Sequence, residues 1–207
     1  MALSKVDGTN LIAATVPTTV GGTGSTATTF TNLTSNVTGT LPVASGGTGL
    51  TSGFVNGGTN TPAFEAMLSS TQSLVDATNT KIEFDTENFD TDGCYDNSTN
   101  YRFTPTTAGK YYIYGKVRLQ SGSDSQFQTG SIFIYKNGSI VYENYYLFWS
   151  NYIRSASPMV SAVIDMNGSS DYVELYAALD VNSGTLDGAL GNSNRTTLFG
   201  AYKILGA

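Results

Sequence analysis

The segment SIFIYKNGSIVYENYYLF, residues 131–148, places two runs of β-branched and aromatic residues on either side of Asn137–Gly138. An Asn-Gly pair between such runs is the strongest short-range signal for a two-residue β-hairpin, because both turn positions need a positive φ. The segment therefore predicts two antiparallel strands joined by a tight turn.

Other β-rich runs follow the same pattern, with turn residues between them. They are KIEFD (81–85), GKYYIYGKVRL (109–119), SPMVSAVIDM (157–166), with Asn167–Gly168 as its turn, DYVELYAAL (171–179) and TTLFGAYKIL (196–205). Alternation puts Ile82 and Phe84 on one face of the first run. In the second run one face carries Tyr111, Ile113, Gly115, Val117 and Leu119. No segment has a convincing helical period, so we expect an all-β sandwich, jelly roll or barrel.

The composition of the chain changes near Thr59–Pro62. Residues 1–61 contain two charged side chains, Lys5 and Asp7, and are dense in Thr, Gly, Ser and Asn. Residues 62–207 contain the other charges, all thirteen Tyr and the only Trp. This contrast predicts an N-terminal arm over residues 1–61 and a folded head over residues 62–207.

The arm carries a loose glycine repeat, VGGTG at 20–24, SGGTG at 45–49 and NGGTN at 56–60. One interpretation is a flexible linker. The apolar residues between the glycines favour the other interpretation, a segment that is ordered when partner chains cover it, because a solvated linker has no use for them. Glycine would then allow backbones to come close together.

The charge and composition exclude several classes of function. The net charge of −6, with only ten Lys and Arg, makes nucleic acid an unsuitable partner. The chain has no His, the commonest general base and metal ligand, and its single cysteine, Cys94, leaves no intrachain disulfide. We therefore expect a protein that is not an enzyme. The N-terminus does not read as a signal peptide and no apolar run is long enough for a membrane span, so we expect synthesis in the cytoplasm without export.

Landmarks in the head occur in a characteristic order. They are Phe64 and Ala66; Phe84 and Asp85; Tyr95, Asp96, Phe103, Thr104, Pro105, Gly109, Tyr111 and Tyr112; and Phe199 and Gly200. This order resembles the globular head of the first complement component, within the tumour-necrosis-factor-like jelly-roll superfamily, although the last pair is adjacent where the family spaces it. The resemblance implies an antiparallel jelly-roll sandwich that assembles as a tight homotrimer.

The arm has a resemblance of its own. LPVASGGTG at 41–49 and the opening MALSKVDGTNL look like segments of bacteriophage tail-fibre and virion appendage proteins. The resemblance implies a shaft or attachment region of a trimeric fibre, located in the virion and bound to other virion proteins. Gly21, Gly22, Gly46 and Gly47 are the expected attachment residues.

The best candidate for ligand binding is the aromatic stretch YENYYLFWSNYIR at 142–154. Exposed Tyr and Trp are typical of recognition surfaces. We expect Trp149, Asn151, Tyr152 and Arg154 to be exposed. Loops 120–129 and 182–196 are expected to form an apical surface at one end of the head. The alternative is that half of the aromatic side chains face the core and half face a neighbouring subunit.

Acidic residues cluster at Asp85, Glu87, Asp90, Asp92 and Asp96. Carboxylate oxygens suit calcium, and Asp90 and Asp92 are the candidate ligands. The alternative is a solvated acidic loop, since the spacing does not fit an EF-hand. Apart from calcium, we expect no cofactor.

These observations lead to competing hypotheses. The first is a non-enzymatic phage tail fibre or appendage whose head binds a host surface glycan or outer-membrane component. The second is a capsid decoration or collar protein whose arm clamps other virion subunits. The others are an enzyme that trims surface polysaccharide, which needs paired acids in a groove, and a non-viral bacterial adhesin.

Overall fold

The computed structural model describes residues 60–149 and 153–205. Within these ranges the chain forms fourteen strands and no helix, and hence no helix that could cross a membrane. The strands are β1 (Ala63–Met67), β2 (Thr80–Lys81), β3 (Thr86–Asp90), β4 (Tyr95–Asp96), β5 (Arg102–Phe103), β6 (Gly109–Lys116), β7 (Leu119–Ser121), β8 (Phe127–Lys136), β9 (Ser139–Leu147), β10 (Ser155–Ala156), β11 (Met159–Met166), β12 (Val173–Val181), β13 (Leu186–Ala189) and β14 (Leu198–Lys203).

The strands form two large sheets and one small one. The five-stranded sheet has the order β11-β6-β14-β1-β3, and the six-stranded sheet has the order β4-β5-β12-β8-β9 with β2 beside β12. A three-stranded sheet, β10-β7-β13, completes the head. Every pairing among these described strands is antiparallel, which confirms the prediction of an all-β antiparallel head.

The two large sheets pack face to face over one core. Phe64 of β1 stacks on Phe103 of β5, with ring centroids 4.7 Å apart, and meets the ring of Phe199 edge-on at 5.0 Å. Where β6 crosses β12, a Cβ on Gly115 would lie 2.6 Å from Cδ2 of Leu175. Glycine at 115 therefore allows the two sheets to come close together.

The predicted alternation is confirmed for residues 109–119 and only in part for 81–85. The residues expected on the inner face of the longer run, Tyr111, Ile113, Gly115, Val117 and Leu119, are all buried. The run is divided between β6 and β7 rather than being one strand. Ile82 and Phe84 are buried as predicted, but only Thr80–Lys81 is strand, because β2 and β5 share one edge of β12 and each pairs with only a short part of it.

The predicted hairpin at Asn137–Gly138 is confirmed. The φ angles are 51° at Asn137 and 79° at Gly138, and β8 and β9 pair on either side. The Asn137 side chain also joins this turn to the segment before β12: its Oδ1 accepts the N–H of Tyr172 at 3.0 Å, and its Nδ2 donates to Asp171 at 2.8 Å. The Asn167–Gly168 turn, by contrast, connects β11 and β12, which lie in different sheets.

Candidate functional site

The outward face of the five-stranded sheet carries a set of partly exposed aromatic and aliphatic side chains, here called the aromatic face. Its members are Tyr112, Tyr114, Met159, Val163 and Tyr202. The Tyr112 ring lies 6.1 Å from that of Tyr114 and 5.5 Å from that of Tyr202. Val163 pairs with Tyr112 across the β11–β6 ladder and is 48% exposed, and Met159 is 60% exposed. Exposed apolar side chains grouped in this way mark an interaction surface.

A polar cluster lies beside the aromatic face and orients one of its rings. The Tyr114 hydroxyl donates to Oε2 of Glu65 at 3.0 Å. The other carboxylate oxygen accepts a hydrogen bond from Asn88 at 2.8 Å and from Arg195 at 3.3 Å. Burial, together with the bond to Glu65, raises the pKa of Tyr114 well above its ordinary value. The hydroxyl therefore stays protonated and remains a donor.

Gly200 makes this arrangement possible. It lies on β14, between Tyr114 of β6 and Glu65 of β1. A Cβ at this position would overlap the Cζ and hydroxyl of Tyr114 and would lie 3.0 Å from the carbonyl oxygen of Phe64. The Tyr114 ring thus crosses β14 over a residue that has no side chain.

The second surface is the strand at the edge of the six-stranded sheet, β9, here called the edge strand. Eight of its nine residues are exposed, on both faces, and only Asn144 is intermediate. The exposed apolar side chains are Ile140, Val141, Tyr142, Tyr145, Tyr146 and Leu147. Among the described strands the edge strand pairs with β8 alone, so its second backbone edge is open. Long apolar edges of this kind recruit another chain.

The predicted ligand-binding set is divided by the structure. Trp149 is 92% exposed, and Arg154 is exposed as well. Arg154 is nevertheless held in place, since its guanidinium lies 3.4 Å from Asp187 and 3.7 Å from Asp124. Asn151 and Tyr152 lie outside the described residues, so the set as a whole stays a prediction.

The two loops that were expected to form an apical surface come together through the small sheet. The N–H of Gly122 donates to the carbonyl of Thr185 at 2.6 Å, and Nε2 of Gln120 donates to Asp187 at 2.6 Å. Strand β10, directly after Arg154, pairs with β7 in the same sheet. The sequence indicated that loops 120–129 and 182–196 form one surface, but not that parts of both are strand.

The two candidate calcium ligands take part in the hydrogen bonding of their own loop. Asp90 accepts the N–H of Tyr95 at 2.7 Å, and Asp92 accepts the hydroxyl of Thr91 at 2.9 Å. Over residues 60–149 and 153–205, no group of three or more His, Cys, Asp or Glu side chains is arranged to hold a metal. These contacts account for both carboxylates as structural parts of the loop, and the calcium site stays a prediction.

Another acid, Asp96, organises the turn that follows. Its carboxylate accepts the N–H groups of Ser98 at 3.0 Å, Thr99 at 2.9 Å and Asn100 at 3.1 Å. The hydrogen bonds from Thr99 and Ser98 hold the pKa of Asp96 well below its ordinary value. Cys94 lies nearby and is buried, with its Sγ 3.7 Å from the carbonyl oxygen of Asp92. The attachment glycines, Gly21, Gly22, Gly46 and Gly47, lie outside the described residues.

Comparison with known proteins identifies the fold. No family model matches the chain, and no curated protein matches it. Among solved structures, the globular domain of zebrafish complement 1qA protein matches with a TM-score of 0.50 and 16% identity, covering 69% of this chain and 97% of that one. Murine APRIL, at pH 5.0, matches with a TM-score of 0.50 and 12% identity, covering 69% of this chain and 98% of that one. The jelly roll predicted from the landmarks is thereby confirmed as a fold similar to complement and tumour-necrosis-factor domains.

Proposed function

We propose that the chain is a non-enzymatic structural protein of a bacteriophage virion, a homotrimeric tail fibre or appendage. The jelly-roll head, residues 62–207, binds a glycan or outer-membrane component of the host surface. The arm, residues 1–61, joins the head to other virion proteins through its glycine repeats, including Gly21, Gly22, Gly46 and Gly47. The protein is made in the cytoplasm of the bacterial host and acts in the virion.

The observation that carries this proposal is the presence of two different apolar surfaces on one head. The aromatic face is a sheet surface, and the edge strand is an exposed strand with apolar residues on both sides. When the edge strand of one copy packs against the aromatic face of the next, each copy uses a different surface on its two neighbours. Head-to-tail contacts close into a ring when the rotation between copies closes, and a ring of three copies is the homotrimer that we propose.

The register of the edge strand supports this packing. Tyr142 pairs with Ile134 and Tyr146 pairs with Gly130, so both tyrosines point to the side of the six-stranded sheet that faces the core. They are nevertheless 45% and 39% exposed, so the rest of the head does not cover them. Contact with the rings of a neighbouring aromatic face would cover them.

The virion role is supported by the arm and by the chemistry of the head. LPVASGGTG at 41–49 looks like tail-fibre sequence. A trimeric head brings three arms together, and these could pack side by side as the shaft of a fibre. The chain has no His, and Asp90 and Asp92 are engaged within their own loop. Trp149, almost fully exposed beside the edge strand, is the residue of the predicted ligand-binding set that is best placed to contact a host surface.

Two measurements on phage particles test the proposal. Mass spectrometry of purified virions should detect the chain, and its absence from particles would refute the virion role. The head, added to host bacteria before the phage, should block adsorption. A head that binds no cells, together with particles that lose stability when the arm is deleted, would instead establish the decoration role.

A further inference from the structure

A groove of about 430 Å³ lies on the outward face of the six-stranded sheet. The opposite face of that sheet packs on the core through Ile132, Ile134, Leu175 and Leu179, which are fully buried. The groove is therefore on the other side of the sandwich from the aromatic face. Its volume is in the range of about 300–1,000 Å³ that small-molecule sites occupy.

The register of three strands explains why the sheet is concave here. Ala178 of β12 pairs with Ser131 of β8, so two small side chains lie next to each other on the outward face. On one side of them lies the pair Asp180–Thr129. On the other side Phe133 pairs with Glu143 of the edge strand. The Phe133 side chain is larger than those of Ser131 and Ala178, so it forms a side wall of the groove.

A short loop closes the end of the groove next to β12. The N–H of Ala77 donates to the carbonyl of Leu179 at 3.0 Å, which holds the loop against the strand. Asn79, also in the lining, donates from Nδ2 to the hydroxyl of Tyr135 at 3.2 Å. The groove is thus built by hydrogen-bonded elements on both sides.

Apart from Asn79, the polar side chains that line the groove have no side-chain partner among the described residues. Ser131 is only 7% exposed, and its hydroxyl makes no hydrogen bond within the described part of the chain. No buried side-chain nitrogen or oxygen among the described residues lacks a partner, so this hydroxyl is not sealed in and must open into the groove. The side chains of Thr129, Glu143 and Asp180 also have no hydrogen-bond or ion-pair partner in residues 60–149 and 153–205.

This lack of partners contrasts with most of the other acids in the head. Glu65, Asp85, Asp90, Asp96 and Asp171 each accept hydrogen bonds from the chain. Two carboxylates and two hydroxyls that converge on one concavity without partners are arranged to bind a ligand rather than to stabilise the fold.

We propose that the groove binds a neutral saccharide. Each sugar hydroxyl can donate to the carboxylates of Glu143 and Asp180 and accept from the hydroxyls of Thr129 and Ser131. The C–H face of a sugar ring fits the apolar part of the lining, which Phe133 provides with Ile140 and Ala178. Two carboxylates with no nearby cation in the lining repel uronic acids, sialic acids and phosphates.

A simple cation suits the groove less well than a saccharide. An ammonium group has donors and no acceptor, so it can bind the carboxylates but cannot accept hydrogen bonds from the hydroxyls of Thr129 and Ser131. A saccharide satisfies both kinds of group. Since a partly buried polar group left unpaired weakens binding, this difference favours the saccharide.

The groove stays open in the proposed trimer. Glu143 pairs with Phe133 on the outward side of the sheet, whereas Tyr142 and Tyr146 point to the other side, where the neighbouring subunit would pack. Thr129 forms one end of the groove. It pairs with Leu147, which comes two residues before the exposed Trp149. The inference rests on the host-glycan part of the proposed function and specifies the chemical class of the ligand.

The test uses the full chain and defined small probes. Saturation-transfer NMR and titration calorimetry would be run with methyl glycosides of neutral hexoses and N-acetylhexosamines, with a methyl glucuronide, and with a lysine tripeptide. The variants are Asp180→Asn and Glu143→Gln, which remove one charge each, and Ala178→Leu, which fills the floor. Glu83→Gln is the matched control, because the Glu83 carboxylate is also exposed and has no partner among the described residues, but it lines a different cavity.

At least one neutral glycoside should bind, and each groove variant should weaken it about tenfold or more, while Glu83→Gln leaves its affinity unchanged. Absence of neutral binding, binding that the three variants do not weaken, or binding of the lysine tripeptide in preference to every glycoside would overturn the inference. Glu143 is exposed, so Glu143→Gln keeps the test valid if another variant fails to fold.

The outcome is separable from that of the proposed function. If the trimer adsorbs to host cells and the groove variants adsorb equally well, saccharide binding by the groove is refuted and the proposed fibre role stands. If the chain is absent from virions, the fibre role is refuted, and the affinity of the groove for neutral glycosides is still measured directly.

Discussion

Replacing Gly200 by alanine tests how the aromatic face is built. The added Cβ would overlap the Tyr114 ring, and the neighbouring carbonyl of Phe64, at 3.0 Å, leaves little room for the backbone to shift. The ring must therefore move away and release its hydrogen bond to Glu65. In an ordinary strand the same substitution would stabilise the protein by about 0.5–1 kcal/mol, so the expected sign is opposite to the generic one.

The magnitude follows from two contributions. A hydrogen bond to a carboxylate contributes about 1.5–3 kcal/mol, and because Tyr114 and Glu65 are only partly buried we take the lower end, about 1.5 kcal/mol. Overpacking costs about 1–3 kcal/mol. Gly200→Ala should thus lower the free energy of unfolding by about 3 kcal/mol, and Tyr114→Phe, which removes only the hydroxyl, by about half as much.

The assay is denaturant unfolding at one fixed protomer concentration, since the stability of an oligomer depends on concentration. A double-mutant cycle isolates the contact. In a Tyr114→Ala background the ring is gone, so Gly200→Ala should lose most of its cost and the coupling energy should exceed about 1 kcal/mol. Equal costs of Gly200→Ala in both backgrounds would refute the close contact between the ring and the glycine.

Three further predictions concern assembly, acid stability and metal binding. Val163→Asp puts a charge on the aromatic face and should dissociate the trimer, as measured by sedimentation velocity. Val75→Asp is the control and should leave the trimer intact, because Val75 is an exposed valine outside the aromatic face and the edge strand. A trimeric Val163→Asp variant would rule out the aromatic face as the contact between subunits. Asp96→Ala should lower the free energy of unfolding by about 1 kcal/mol at neutral pH. Because the native pKa of Asp96 is depressed, this difference should be fully present above its ordinary value of 3.8 and should be lost progressively as the pH falls from there through the lower native pKa. A pH-independent difference in calorimetry would contradict the prediction. Calcium should not raise the melting temperature, since Asp90 and Asp92 are engaged within their loop; a rise that Asp92→Asn abolishes would establish the calcium site.

The sequence was sufficient to predict the features that depend on local pattern. The hairpin at Asn137–Gly138 is a property of two residues, and the inner face of 109–119 follows from alternation alone. The strand expected at 81–85 is mostly irregular, because the available length of the β12 edge depends on where β5 pairs, and no local pattern contains that information.

The surfaces with candidate functions were less predictable for the same reason. Tyr112 and Tyr114 alternate with core residues, so their outward position could be read from the sequence, but their meeting with Tyr202 depends on the β6–β14 register. Likewise Ser131 and Ala178 are far apart in the chain and become neighbours only through the β8–β12 pairing. The sequence alone therefore predicted Trp149 as a binding residue but did not predict the groove.

Assembly of the head through two different surfaces is tested most directly by the light-scattering mass of the purified full-length chain. The aromatic face and the edge strand predict a mass near three times 21.9 kDa. A mass of 21.9 kDa at the same protein concentration would mean that both apolar surfaces stay exposed in solution, and it would contradict the proposed trimer.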